Sequence, residues 1–471
     1  MGAIRRFRGP ALHLLPGRPV HLPLPRALAL LAALAAAVPP PARAAAPAVP
    51  EPLALPPRLT LEEASRLFRE RGLDLLLADA AVASAEGDLS AAGAVANPQL
   101  SASYGRSRTF GDCVDVQGNP SACGWLPQPQ YGLGLSDSGA VFDVLTGKRG
   151  LRVDAARAAL QAARASRADA ERTVGAQVRQ QVAQVVLAQE SSRFAREVAA
   201  AQASALELTR TREAAGAISE ADVARVEVAK LEADQAVDAA AQALRDARAQ
   251  LAFLLGARGE VPEFEVDAPD LAQGREPPAL AGATAPALLA RAAERRPDLH
   301  AARLQRERAE AALALARRQR IPDVTLSLNY AQQGTTNQAV TPPTFTLGLA
   351  LPLPLFYQQQ GEIRRAEADV STQALQATKL EAQVAADVAT GLADYAASGA
   401  LVRRMEGGLL ARAARARDLV QVQYQKGAAS LLDYLDAQRT FVATRVEYHQ
   451  DLAAYWTAVF KLEAAVGEEL R

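Results

Sequence analysis

Strictly alternating apolar and polar residues mark four short segments of this chain, and seven-residue columns mark two longer ones. Leu100, Ala102 and Tyr104 alternate with polar residues, and so do Tyr131, Leu133 and Leu135. In the second half Val324, Leu326, Leu328 and Tyr330 do the same, followed by Phe345, Leu347, Leu349 and Leu351. A period of two is that of a strand with one apolar face, so strands are expected at 98–106, 130–137, 322–331 and 344–354. Each strand pair follows a helical segment. The first, 61–95, opens with the capping box Thr60-Leu61-Glu62-Glu63, and its counterpart is 286–320. After each pair comes a long proline-free stretch, 148–215 or 361–426, which as a helix would span roughly 100 Å. Each stretch ends at a glycine and turns back, through Ser219-x-x-Asp222 or Ser430-x-x-Asp433, into a return helix at 220–255 or 431–466. There Val223, Lys230, Val237, Leu244 and Leu251, and later Tyr434, Phe441, Tyr448, Tyr455 and Leu462, recur every seven residues beside mostly smaller ones. Such columns are coiled-coil seams.

The two sets are a duplication. Asp74 precedes Pro98 by the same interval as Asp298 precedes Pro322. Gly216 stands before Asp222 and before Leu255-Gly256 as Gly427 stands before Asp433 and before Val466-Gly467. The repeats are 45–256 and 286–471, joined by a Pro-, Gly- and acid-rich linker at 257–285. Residues 1–44 read differently. Basic residues without an acid precede the twelve-residue apolar run Ala27–Val38, then Pro39-Pro40-Pro41 and Ala42-Arg43-Ala44. That order is a secretory signal peptide's, and the run is too short for a permanent transmembrane helix. Without a cysteine at the expected cleavage site, a lipid anchor is not expected.

Charge and composition narrow the function. The 471 residues carry 52 Lys+Arg and 52 Asp+Glu, which does not suit an electrostatic nucleic-acid binder. Removing the leader's six arginines leaves 46 basic against 52 acidic groups, a mildly acidic mature chain. Four amphipathic strands cannot close a barrel, and an open edge is not tolerated in lipid. Several copies must therefore share one barrel, and three copies would give twelve strands, within the known range.

The order helix–strand–strand–long helix–tip–helix, given twice, resembles the TolC-type outer-membrane efflux duct family. Asn97-Pro98, Arg296-Pro297-Asp298-Leu299, Ile321-Pro322-Asp323, Pro352-x-Pro354 and the two tips carry the likeness. It implies a mainly α fold with a β-barrel part: a homotrimer with a twelve-stranded barrel in outer-membrane lipid and a long α-helical coiled-coil tunnel through the periplasm. It also implies a periplasmic adaptor and an inner-membrane pump as partners. Adaptor docking would fall on the tips, at Gly216, Ala217 and Ile218 and at Gly427, Ala428 and Ala429. Asp433 and Asp436 would ring the periplasmic constriction as a cation filter. Asp222 and Tyr424 match positions that hold the closed state. The family's basic gate partner is replaced here by Ala429, so a latch has to be built differently. Cys113 and Cys123, in a loop facing the exterior, are expected to pair in an exported chain, free thiols being the alternative.

No P-loop, nucleophile elbow, dinucleotide fingerprint or histidine–cysteine ligand spacing occurs. Neither an enzyme nor a bound cofactor or metal is expected. The chain reads as a passive exit duct for a drug or metal-ion efflux system. A duct for an ATP-driven type I protein secretion system is the alternative, and a soluble periplasmic coiled-coil adaptor the rival of another class.

Overall fold

The computed structural model describes residues 55–108, 113–114, 117–121, 125–333 and 342–470. The expected leader, 1–44, lies outside them, as do Cys123 and the side chain of Cys113, and with these the expected pairing. In chain order, β1 (Arg58–Thr60), α1 (Leu61–Arg71) and α2 (Leu73–Gly93) lead to β2 (Gln99–Arg108), the small pair β3 (Cys113–Val114) and β4 (Pro120–Ser121), and β5 (Trp125–Ser136). A short α3 (Ala140–Leu145) precedes α4 (Lys148–Ala214), which turns back as α5 (Glu220–Leu254). β6 (Glu265–Asp267) and two short 3-10 turns cross to α6 (Ala285–Arg295) and α7 (Pro297–Arg318). β7 (Thr325–Gln333), β8 (Thr344–Ala350), α8 (Gln360–Arg404), α9 (Leu410–Gln425) and α10 (Leu431–Val466) follow.

Two helices expected as single rods are broken. The 61–95 segment stops at Gly72, where a Cβ would meet the ring of buried Phe68 at 2.5 Å, so only glycine lets the backbone close over that ring. The 286–320 segment breaks at the corresponding place because Pro297, with no N–H to donate, opens a new helix. A third break interrupts the second long helix. At Met405–Leu409 the chain makes one π turn, with the Leu410 N–H bonded to the Met405 carbonyl and Gly408 at φ +154°. α4 runs through 67 residues without interruption.

The linker is packed, not loose. β6 pairs in parallel with β1, and Phe264, Val266, Leu271 and Leu280 are buried in the main core with Leu59, Phe68, Leu251 and Phe460. Tyrosines of the second repeat strap it down. Tyr395 donates to the Glu276 carboxylate at 3.3 Å and Tyr455 to the Arg275 carbonyl at 2.9 Å. Glu406, in the π turn, accepts from the Gly274 N–H (3.1 Å) and the Tyr448 hydroxyl (2.7 Å).

Arg296 ties three helices of the second repeat together. Its buried guanidinium forks onto Asp298 (2.6 and 3.0 Å), reaches Asp387 on α8 (3.0 Å) and donates to the Ala465 carbonyl near the end of α10 (3.2 Å). Arg172 of α4, in the first repeat, reaches the same cluster through Asp298 at 3.7 Å and the Ala464 carbonyl. The cation overcomes its desolvation because carboxylates and carbonyls surround it; these pairings hold Asp298 below the usual carboxylate range.

The four longer strands form one antiparallel sheet in the order β2-β5-β7-β8. Its register aligns Leu100, Leu135, Leu328 and Leu347 in a row across all four strands, with Ala102, Leu133, Tyr330 and Phe345 in the next. These rows share one face and it is bare: Leu347 is 81% exposed and Phe345 70%. The opposite face carries Ser101, Gly134, Asn329 and Thr346 in register. Aromatic pairs brace the apolar face at one end, Tyr104 with Tyr131 at 5.5 Å and Tyr330 with Phe345 at 5.2 Å. Among the described residues no helix is long and apolar enough to cross a membrane.

Candidate functional site: the paired helix tips

Both hairpins of long helices turn through the same motif because they are built from the same sequence. At Gly216 (φ +71°) the Ala217 N–H reaches the Arg212 carbonyl at 2.9 Å and the Gly216 N–H reaches Glu213 at 2.7 Å. At Gly427 (φ +75°) Ala428 reaches Gln423 at 2.8 Å and Gly427 reaches Tyr424 at 3.1 Å. These paired bonds satisfy the last helical carbonyls and need the left-handed conformation that glycine alone adopts freely. Gly216, Ala217, Gly427 and Ala428 are exposed, whereas Ile218 and Ala429 turn partly inward against the apolar core of the tips. Each tip thus offers a small, nearly side-chain-free surface.

The return helices begin with reciprocal caps. The Asp222 N–H donates to Ser219 Oγ at 3.3 Å, and the Asp222 carboxylate accepts from the Ser219 hydroxyl at 2.8 Å. Ser430 and Asp433 repeat this at 3.2 and 2.7 Å. Hydrogen bonds from the serine hydroxyl and backbone hold both carboxyl groups below the usual range. Asp436, one turn beyond Asp433, is exposed and makes no hydrogen bond or ion pair with the described residues. Of the two carboxylates expected at the constriction, one is committed to a cap and the other is unencumbered.

Asp222 and Tyr424 are not brought together within the described residues. Asp222 pairs with Arg225 on its own helix at 3.3 Å. Tyr424 is buried and stacks on Tyr434, ring centroids 5.2 Å apart and planes 12° from parallel; its hydroxyl has no hydrogen-bond partner. Arg212, from the other hairpin, lies 4.8 Å from the Tyr424 ring centroid. It donates to the Tyr424 and Gln425 carbonyls at 3.3 and 2.9 Å. A cation at the C-terminal end of α9 is favoured by both the helix dipole and the ring face. Arg212 was absent from the sequence-level candidates. The signal for it is repeat asymmetry: the equivalent position before the second tip glycine is Gln423, and the partners of Tyr424 and Tyr434 in the first repeat are Glu213 and Val223.

The two histidines among the described residues stand apart, with no shared partner. His300 is exposed, while His449 is buried against Ser191 (3.1 Å), and burial pushes its imidazole below the ordinary value. Among the described residues no group of three metal-capable side chains converges.

The model of one family, outer membrane efflux protein, matches residues 65–257 and 288–468, taking in both hairpins and the sheet. The chain belongs to the outer membrane efflux protein family. Its two matched stretches correspond to the two repeats, and outer membrane efflux proteins are transport proteins of that membrane. The chain is 31% identical over 407 residues to the pyoverdine export outer membrane protein OpmQ of Pseudomonas aeruginosa, covering 84% of this chain and 81% of the relative. It is 28% identical over 325 residues to the cobalt-zinc-cadmium resistance protein CzcC of Cupriavidus metallidurans, covering 69% and 74%. The outer membrane protein VceC of Vibrio cholerae superposes with a TM-score of 0.65 at 20% identity, covering 87% of this chain and 97% of that one. The CusC structure gives 0.68 at 19%, covering 87% and 92%. These structures share the fold: a mainly helical chain of two long hairpins bearing a small sheet.

Proposed function

We propose that this outer membrane efflux protein is the exit duct of a tripartite export system, a homotrimer that passively conducts small molecules or metal ions from an inner-membrane pump and periplasmic adaptor to the exterior. The sheet supports this reading most directly. It has a leucine-lined outer face, a Ser/Gly/Asn/Thr inner face, and outer strands β2 and β8 each paired on one side only. Three such sheets joined edge to edge make a twelve-stranded barrel with its apolar face to lipid. Residues 1–44 serve as the export signal. The exposed glycine–alanine tips leave room for an adaptor's helical hairpin, and Asp433 with Asp436 forms the cation-preferring ring. Arg212, seated on Tyr424, stands in for the basic partner missing at Ala429 and holds the second tip against the first. The small-molecule cargo rests on the relatives' names, one for pyoverdine export and one for metal resistance.

Unheated outer-membrane extracts should give a gel band near three protomer masses that collapses on heating. A band at one mass in unheated extracts rejects the trimer. In planar bilayers the wild type should prefer cations, and the D433A/D436A double variant should lose that preference. Unchanged selectivity removes the carboxylate ring from the reading.

A further inference from the structure

The sheet ends on an apolar shoulder in both repeats, and the two shoulders differ in what lies beside them. Below β5, α3 exposes Val141, Val144 and Leu145. Below β8, the segment 351–357 exposes alternate leucines and then Phe356, which is 98% exposed, beside Tyr357. Basic residues follow each shoulder. In the first repeat they are consumed internally. Lys148 is buried on the Ile321 carbonyl and Asp323, both at 2.7 Å; Arg149 donates to the Gly93 carbonyl at 2.7 Å; Arg152 forks onto Asp143 at 2.7 Å.

In the second repeat they are not. Arg318 and Arg364 are exposed and have no hydrogen-bond or ion-pair partner among the described residues, and Arg365, also exposed, makes no hydrogen bond there and lies near the Glu362 carboxylate of its own helix. Arg320 bonds only the neutral Gln358 side chain, at 3.2 Å. The nearby acids are already engaged: Glu362 by the Tyr357 hydroxyl, Glu367 by Arg317 at 2.9 Å, and Asp323 by Lys148. A cleft of about 450 Å³ opens between the end of α7 and the segment after β8, and Arg320 shares its lining with Leu353, Pro354 and Tyr357. Guanidinium and exposed hydrocarbon thus meet at one place, continuous with the sheet's bare apolar face.

We infer that this second-repeat shoulder binds anionic phospholipid of the periplasmic leaflet, its arginines on the headgroup phosphate and Leu353, Leu355 and Phe356 among the acyl chains. The inference rests on the duct reading, which sets the sheet in lipid and this shoulder at the leaflet boundary. Unpaired guanidinium supplies the charge complementarity, and the positive end of the 45-residue α8, which starts at Gln360, adds to it. A first-repeat shoulder with its cations already bonded within the protein, on Asp323, Asp143 and the Gly93 carbonyl, serves as the internal contrast: apolar, but indifferent to headgroup charge.

The test uses the purified full-length trimer, with retained lipids counted by native mass spectrometry after equilibration with equal phosphatidylglycerol and phosphatidylcholine. Phosphatidylglycerol should be favoured by about fivefold per contributing arginine. The R318Q/R320Q/R364Q/R365Q variant should lose the preference, and the corresponding quadruple lysine variant should keep it. Both should still form conducting trimers. Equal retention by the wild type, or a preference surviving in the glutamine variant, overturns the inference. Displacement by millimolar inorganic phosphate also overturns it, since the site would then take a free anion. With Phe356→Trp, brominated phosphatidylglycerol should quench the added emission; an unquenched tryptophan would mean that protein covers the shoulder. A wild type that neither trimerises nor conducts defeats the duct reading itself, an outcome distinct from all of these.

Discussion

Arg296 and Arg212 are two guanidiniums in opposite situations. Arg296 is buried among Asp298, Asp387 and a helix-end carbonyl. Removing it leaves carboxylates and a carbonyl without their donor, so Arg296→Met should cost about 3 kcal/mol, read as an earlier thermal loss of helical circular dichroism. Arg212 is half-exposed and bonds carbonyls of another hairpin. Arg212→Gln should leave that melting curve nearly unchanged while raising the resting conductance of reconstituted ducts. A variant whose melting falls but whose conductance stays put would make Arg212 a packing residue. The Arg-Pro-Asp-Leu motif could be singled out in the sequence as one of the motifs that carry the family likeness. Arg212 left only the trace of repeat asymmetry, since its role depends on a ring 212 positions away in the chain that only packing brings near.

Between residues and molecule stand the helices, and their breaks were the least legible part of the sequence. Alternation placed the strands and their apolar face because a period of two leaves no other arrangement for leucines. Heptad columns likewise placed the seams: Tyr434, Tyr448, Tyr455 and Leu462 are buried. Gly72 reads as an ordinary helical glycine until Phe68 is seen folded beneath it. The π turn hides in the same way: Gly407-Gly408 is visible in the sequence, but the clamp of Glu406 by Tyr448 and Gly274 is tertiary. At φ +154° a side chain on residue 408 is strained although space is available, its nearest neighbour being Arg412 Nε at 3.7 Å. Gly408→Ala should therefore destabilise by about 1–3 kcal/mol, seen in the same melting assay, whereas Gly407→Ala should be nearly silent because nothing lies within 4 Å of its Cβ.

For the whole molecule the decisive feature is a face with no partner in its own chain. Leu347 ends the four-strand leucine row on the edge strand β8 and is the most exposed of its members. Leu347→Arg should cost about 2–4 kcal/mol if the row sits near the middle of a bilayer, and should reduce the heat-modifiable band without altering the helical hairpins. The fold class was legible from the duplicated order of elements. The proposed number of copies comes only from counting strands against what closes, because no residue records its neighbour in another chain.

The unpaired edges have a genetic consequence. β2 comes from the first repeat and β8 from the second, so in a threefold ring each protomer needs both neighbours, head to tail. A cell making equal amounts of wild-type chain and a chain that cannot complete its β8 edge would assemble only about one ring in eight from sound copies alone. Edge-strand alleles should therefore be dominant, sensitising merodiploid cells to exported toxins, while alleles that disable the proposed export signal at residues 1–44, whose chains would never reach the ring, should be recessive.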